Sequence, residues 1–286
     1  MDVTQSAVSQ AVSGLESQVG VTLIDRSKRP PQLTAAGQTF LRGSRSILKT
    51  YERLVADTLA AADAASGQIN IGCVVSIGLT YMPDAMEQFA VSYPKVRVNT
   101  AYGSSERVGE MIVGGEVDFG LVSFPQSTKD IEAVPWLDEP MRIICSDRHE
   151  LAGRNEVSAA DLTGIEMVGF VKSLRLRQEI DAVLSTAGIT VGFPMEFDNT
   201  DSMIRAIQAT GGIGILPEAA VRRETADGTL RVIRCRDFSM TRPLGIARRR
   251  GEKLSVPAAE FSSLLLGRSL ETKPKRPAAG TVSIVA

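Results

Sequence analysis

Three cysteines in 286 residues, Cys73, Cys145 and Cys235, are too few and too scattered for a disulfide framework, and no CxxC pair among them spells a zinc site. They read as small buried hydrophobes. Histidine is scarcer still: His149 is the only one, in the loop Ser146-Asp147-Arg148-His149-Glu150, with no nucleophile or metal-ligand pattern around it. That reads against an enzyme and against a metal or cofactor. Long apolar runs are also missing, since the best of them, such as Ile213-Gly214-Ile215-Leu216, are the size of a strand and far short of a membrane span. Residues 1–30 lack the basic start and apolar stretch of a secretion signal, so the expected location is cytoplasmic, with no membrane partner.

Net charge is nearly absent too, at −1 overall, but it is unevenly spread. Residues 1–53 carry seven Lys or Arg against four Asp or Glu, a net of +3, which leaves the rest mildly acidic. A basic front suits a nucleic-acid contact at one end; random scatter is the plainer alternative. What is abundant is ordinary globular material, 43% hydrophobic and 23% charged, enough to bury a good core in two or three domains.

The front begins with TQSAVSQAVSGLESQVG, in which Val8, Val12, Leu15 and Val19 recur at helical spacing between a capping Thr4 and a terminating Gly20. Its other face carries Gln5, Ser6, Ser9, Gln10 and Ser13. These short polar groups, with Thr4 at the start, allow close approach to a duplex and are the expected DNA contacts, where a merely solvated face would more often carry Lys and Glu. Val21 to Leu33 follows as two short apolar pieces around Asp25-Arg26-Ser27-Lys28-Arg29-Pro30-Pro31-Gln32. This reads as a proline-stiffened wing with Arg26, Lys28 and Arg29 beside phosphates, or else as a charged loop. Thr34 then caps a long helix over 35–65. Its narrow stripe of Ile47, Leu48, Tyr51, Leu54, Val55, Leu59 and Ala62 suits either a second copy of itself or a place in the body's core, and Ser66-Gly67 reads as a hinge.

From Gln68 onward strands and helices alternate. Strands are expected at 68–75, 95–102, 117–123, 141–146, 165–171, 190–197, 213–216, 230–235 and 243–248, with helices near 79–92, 105–113, 174–187, 200–210, 217–223 and 257–268. The pattern predicts an α/β chain with parallel sheets in two lobes about a cleft. One lobe takes 68–137 plus 241–268 and the other 138–240. Residues 271–286, with Lys273-Pro274-Lys275-Arg276-Pro277, read as a disordered tail.

Several motifs in order make the chain resemble a LysR-type transcriptional regulator: Ala7, Val8, Ser9, Leu15-Glu16, Gly20, Leu23, Arg26 and Leu33-Thr34-Ala35-Ala36-Gly37 at the front, then Gly114-Gly115-Glu116-Val117-Asp118-Phe119-Gly120-Leu121 and Gly211-Gly212-Ile213-Gly214-Ile215-Leu216-Pro217. The match runs over about residues 3–268. The resemblance implies a partial winged helix-turn-helix over 1–34, a linker and dimerisation helix over 35–66, and an effector domain over 67–270. That domain would be two Rossmann-like subdomains, similar to periplasmic binding proteins. It also implies a non-enzymatic homo-oligomer, dimer or tetramer, that binds promoter DNA and responds to a small effector. Gln10 and Ser13 stand where members often carry Arg, and Ile24 where Phe is usual. The family's first helix and most of its second would precede Thr4. A ligand-binding, oligomerising module without DNA binding is therefore the alternative, and a solute-binding protein for a transporter, which would need a secretion signal, ranks last.

In doubly wound sheets, ligands sit at strand carboxyl ends, where helix N-termini offer free N–H groups to anions. Ser76, Ser104, Ser105 and Ser123 in one lobe, and Lys172, Ser173, Asn199 and Thr200 in the other, meet that condition and resemble the family's cleft-lining positions. A plain N-cap role is the alternative for each Ser or Thr, and the two roles are compatible. Arg175 and Arg177 are candidates for extra charge, against the commoner solvent-facing role. Phe124, Phe170 and Val171 leave room for an apolar part. So donor-rich a cleft favours a small carboxylate, phosphate or sulfate.

Overall fold

The computed structural model describes residues 4–62, 66–154, 156–267 and 270, so the tail read over 271–286 lies outside the described residues. Helix α1 (Gln5–Val19) starts where Thr4 Oγ1 accepts from the Ala7 N–H at 3.4 Å and stops at Gly20, whose φ of 79° is left-handed. Strands β1 (Ile24–Asp25) and β2 (Gln32–Leu33) pair antiparallel, Ile24 opposite Leu33, and form the small wing the sequence suggested. The long helix α2 (Ala35–Ala62) follows directly.

The junction explains the Leu-Thr-Ala-Ala-Gly run. Thr34 Oγ1 donates to the Thr22 carbonyl at 2.8 Å and accepts from the Gly37 N–H at 2.9 Å, closing the helix start against the wing. A Cβ at Gly37 would lie 2.0 Å from the Leu23 carbonyl oxygen, so only glycine admits this approach. Farther along α2, Ile47 is 71% exposed, and Leu48, Tyr51, Leu54 and Val55 are exposed with it. Leu59 and Ala62, the end of the expected stripe, have side chains outside the described set.

The body opens with β3 (Ser66–Cys73), α3 (Val75–Ser92), β4 (Lys95–Tyr102), α4 (Ser105–Val113) and β5 (Phe119–Ser123), and β3 pairs in parallel with both β4 and β5. Strand β6 (Ile131–Ser146) crosses to the second lobe. There β7 (Glu156–Val157), α5 (Ala159–Leu162), β8 (Glu166–Phe170), α6 (Arg175–Thr186), β9 (Gly192–Phe197), α7 (Thr200–Thr210) and β10 (Ile213–Pro217) repeat the parallel winding. A 3-10 turn (Glu218–Val221), α8 (Arg222–Ala226) and β11 (Leu230–Cys235) complete that lobe. Strand β12 (Met240–Arg249) returns antiparallel along β6 and β5, and α9 (Val256–Leu266) packs on the first lobe. The strand order β4-β3-β5-β12-β6-β10-β8-β9 thus runs through both lobes, with β6 and β12 as the shared pair.

Each lobe buries its own core: Ile69, Ile71, Phe119, Leu121, Ile246 and Phe261 in the first, Ile143, Met167, Ile180, Ile207, Ile213 and Leu216 in the second. Each such side chain contributes about 1.5–3 kcal/mol.

Three expectations need correction. The strand read as 68–75 stops at Cys73, because the Ile77 and Gly78 N–H groups both turn back to the Val74 carbonyl and start α3 four residues early. Ser66-Gly67 is no hinge, since both residues already pair with Lys95 and Val96. The strand read as 141–146 begins at Ile131, because Ile131–Met141 pairs along the whole of β12.

Candidate functional site

Between the lobes lies a cavity of about 570 Å³ lined by the first turns of four helices, α3, α4, α6 and α7. Two of these are closed by their own caps: Ser104 Oγ accepts from the Arg107 N–H at 3.2 Å, and Asn199 Oδ1 from the Ser202 N–H at 2.8 Å. The other two are preceded by Val74 and Leu174, which supply no side-chain cap. The leading N–H groups of α3 and α6 therefore face the cavity with their partial positive charge uncompensated by a cap. Phe170, Val74, Leu174 and Leu176 give the cavity apolar wall.

Of the residues proposed from the sequence, Ser76, Ser104, Ser105, Ser123, Asn199 and Thr200 line this cavity. Ser76 reaches it as the second residue of α3, not as the end of a strand. Ser105 and Ser123 are tied together: Ser105 Oγ accepts the Ser123 N–H at 3.2 Å and stands 3.2 Å from the Ser123 hydroxyl. Lys172 and Ser173 do not line the cavity. Helix α6 begins at Arg175, so these two fall in the exposed turn before Leu174, and Leu174, Arg175 and Leu176 face the cleft in their place. Arg175 lies over the Phe124 ring at 5.0 Å. Arg177 is buried and turned into its own lobe, its Nη1 donating to the Phe170 carbonyl at 2.5 Å and Glu196 at 2.6 Å and its Nε to Asp181 at 2.8 Å.

Sequence reading missed the charged floor of the cleft. Glu139 on β6 and Arg242 on β12 are cross-strand partners, 0% and 2% exposed, where the shared strands pass between lobes. Arg242 Nε donates to Glu139 Oε2 at 2.8 Å, its Nη2 donates to the same oxygen, and its Nη1 reaches Ser76 Oγ at 3.0 Å. Tyr81 Oη donates to Glu139 Oε1 at 2.9 Å. Burial, then the Glu139 charge and hydrogen bond, push the Tyr81 phenol above its ordinary range. The partners lie 103 residues apart, and no local spacing announces them. Nearby, burial alone lifts the Cys73 thiol to about 12, which keeps it a neutral hydrophobe.

A second cavity, about 700 Å³, separates α2 from α4 and shares Ser105, Glu106, Ser123 and Arg175 with the cleft. Across it Arg45 of α2 pairs with Glu116 at 3.1 Å, and Arg107 of α4 pairs with the same carboxylate at 2.9 Å. Helix α4 thus touches the cleft at its N-terminus and the long helix through Arg107 and Glu116.

At the front, Gln5, Ser6, Ser9, Gln10 and Ser13 form an exposed polar face on α1, and Thr4 is spent on the cap. Arg26 turns back to α1, its Nη1 3.0 Å from Glu16 Oε2 and its Nη2 3.5 Å from Ser13 Oγ. Glu16 Oε1 also accepts the Leu23 and Ile24 N–H groups at 2.7 and 3.0 Å, so one carboxylate ties helix to wing. Those two backbone N–H groups, with help from Arg26, hold its pKa below the usual range. Lys28 Nζ donates to Gln32 at 3.1 Å, and Arg29 is exposed beside it.

Comparison with known proteins agrees with this geometry. Residues 62–269 match the family model described as LysR substrate binding domain, and residues 1–38 match the model for bacterial regulatory helix-turn-helix proteins of the lysR family. The chain is 24% identical over 242 residues to the HTH-type transcriptional regulator CysL of Bacillus subtilis, covering 85% of this chain and 81% of that one. Full-length CbnR complexed with its target DNA superposes with a TM-score of 0.68 at 21% identity, over 92% of this chain and 90% of that one. The CcmR regulatory domain of Synechocystis PCC6803, solved with 2-PG, gives 0.63 at 21% identity, over 72% and 99%.

Proposed function

The chain belongs to the LysR family of DNA-binding transcription regulators, and from that premise we propose that its control signal is a small anion bound in the cleft between its two lobes. The observation that carries the reading is the meeting of helix N-termini from both lobes, two of them, α3 and α6, without a side-chain cap. An anion there would satisfy donors from each lobe at once and so favour the closed arrangement. The CcmR regulatory domain, solved in complex with 2-PG, supports a small ligand at this kind of fold.

The proposal gives α4 the task of transmission. A ligand drawing on Ser104 and Ser105 shifts α4, and the Arg107–Glu116–Arg45 chain passes the shift to α2. The exposed apolar stripe of α2 supports pairing with a second copy, as dimer or tetramer, which would convert a lobe movement into spacing between two recognition helices. Promoter DNA would lie against Gln5, Ser6, Ser9, Gln10 and Ser13, with Lys28 and Arg29 at phosphates and Arg26 holding the wing. The same reading places the protein in the cytoplasm.

A thermal-shift screen with inorganic phosphate, sulfate, 2-PG and small carboxylates tests the cleft. At one hundred times Kd a ligand of the native state adds about 2.7 kcal/mol. Stabilisation by at least one acid is expected, together with altered migration of a promoter complex in a gel shift. A flat response to every acid sinks the reading.

A further inference from the structure

We infer that Arg242 fixes Ser76 as a hydrogen-bond donor to the cleft, so that the cavity selects a ligand group that can only accept, a carboxylate or phosphate, over its neutral amide counterpart. The inference rests on the cleft being the effector site and adds the residue that sets its selectivity.

A guanidinium carries donors only, so the 3.0 Å bond between Arg242 Nη1 and Ser76 Oγ makes the serine oxygen the acceptor. A hydroxyl has one proton, and among the described residues no protein acceptor takes that of Ser76. It is left to point at whatever occupies the cavity that Ser76 lines. Arg242 cannot swing away to reverse this. Its Nε and Nη2 are both held by Glu139, and Glu139 is held in turn by Tyr81 from α3, the helix that carries Ser76. The neighbouring cap-free N–H groups of α3 are donors too. The other serines add little acceptor capacity, because Ser104 Oγ is spent on its cap and Ser105 and Ser123 bond each other. The bond from Arg242 leaves Ser76 with its proton to give and a single lone pair, so a carboxylate, with two accepting oxygens, uses Ser76 and the α3 N–H groups more fully than an amide does, although the carboxylates of Glu106 and Asp198 also line the cavity.

Glu139 offsets the charge of Arg242, so selection works through hydrogen-bond direction more than through net charge. Arg242 is a positioning residue in this scheme: it acts through Ser76. The same pair sits on β6 and β12 at the passage between lobes, so the group that orients the serine is anchored where the lobes meet.

Trp136, the single tryptophan, has its ring 5.2 Å from that of Tyr81 and gives a fluorescence signal beside the network. The experiment titrates the full chain with inorganic phosphate, acetate and benzoate, and with acetamide and benzamide as matched amides. In the wild type an acid is expected to bind roughly 10- to 100-fold more tightly than its amide. In Ser76→Ala and Arg242→Met that preference falls to about threefold or less. Should Arg242→Met fail to fold, with Glu139 left unpaired, the doubly neutral Glu139→Gln/Arg242→Met protein carries the same expectation. Equal binding of acid and amide by the wild type overturns the inference while the cleft reading stands. So does a Ser76→Ala or Arg242→Met protein that keeps the wild-type preference. If none of the three acids binds, the inference fails, and the cleft reading fails with it when sulfate and 2-PG leave the protein unchanged as well.

Discussion

Two glutamate–arginine pairs organise this chain at opposite extremes of burial. At the front, Glu16 and Arg26 join α1 to the wing with side chains 13% and 46% exposed; at the crossing between lobes, Glu139 and Arg242 are 0% and 2% exposed. Apolar packing is thin in the front unit, since α1 contributes no buried residue and Val8 and Val19 are exposed. The crossing lies beside two complete hydrophobic cores. The same ion pair therefore does different physical work in each place. The front pair supplies order where packing is thin, and the buried pair is surrounded by order and supplies direction to Ser76.

The sharpest way to break the comparison is to unpair the buried site. Glu139→Ala strands the Arg242 charge away from water and should cost about 3–5 kcal/mol in urea unfolding of the body. Glu139→Gln/Arg242→Met, which removes both charges, should cost clearly less than the single change. A single variant as stable as wild type would mean that the crossing is wet, and the contrast with the front would collapse.

A smaller effect is expected at the front for Gly37→Ala. The added methyl meets the Leu23 carbonyl oxygen, so the wing or the start of α2 must move, at about 1–3 kcal/mol of that unit's stability. Promoter affinity in a gel shift should fall while the unfolding transition of the body stays put. A simultaneous loss in both would show that the front and the body form one cooperative block.

How far the sequence foretold each region follows the same divide between local and distant causes. The front was legible because its determinants are neighbours: a cap at Thr4, a stop at Gly20, a wing between two short apolar pieces. Two residues of the cleft wall were legible too, because Ser104 and Asn199 cap their helices from the preceding residue. Ser76 was found for an inexact reason, since the apolar run Cys73-Val74-Val75 reads on as strand although the backbone has already turned into helix. Lys172 and Ser173 failed because the start of α6 is marked by Leu174, a residue with no capping signal. The first half of β6 escaped notice because Glu132, Asp138 and Glu139 break its alternation and Pro135 and Pro140 look like loop residues. Only the pairing with β12, about a hundred residues later, makes those charges part of a strand.

Acid offers a gentler probe of the front pair. Glu16 titrates below its ordinary 4.5 because the Ile24 and Leu23 N–H groups, and then Arg26, favour its carboxylate. A depressed carboxylate contributes stability that is complete above its unfolded pKa and is lost as pH falls through the lower folded value. The wing should therefore stay docked at pH 5 and above and loosen only below 4.5. Amide exchange of Leu23 and Ile24 reads this directly, because those are the two N–H groups that Glu16 holds. Glu16→Gln should show fast exchange at both positions already at neutral pH; protection equal to wild type would show that the carboxylate is not what docks the wing.

Salt gives the smallest effect and compares the two pairs in one experiment. The screening length falls from ~30 Å at 0.01 M to ~3 Å at 1 M, which weakens charges in contact with water and hardly touches a desolvated pair. Arg26 is open to solvent, so Arg26→Gln should differ from wild type in wing exchange at low salt, and the difference should shrink toward zero at 1 M. The gap between Glu139→Ala and wild type should keep its size across the same range, because no counterion reaches between Glu139 and Arg242. If the Arg26 difference survives high salt unchanged, its geometry, with Nη1 on Glu16 and Nη2 near Ser13, matters more than its charge. The front pair would then resemble the buried one in acting through hydrogen-bond direction.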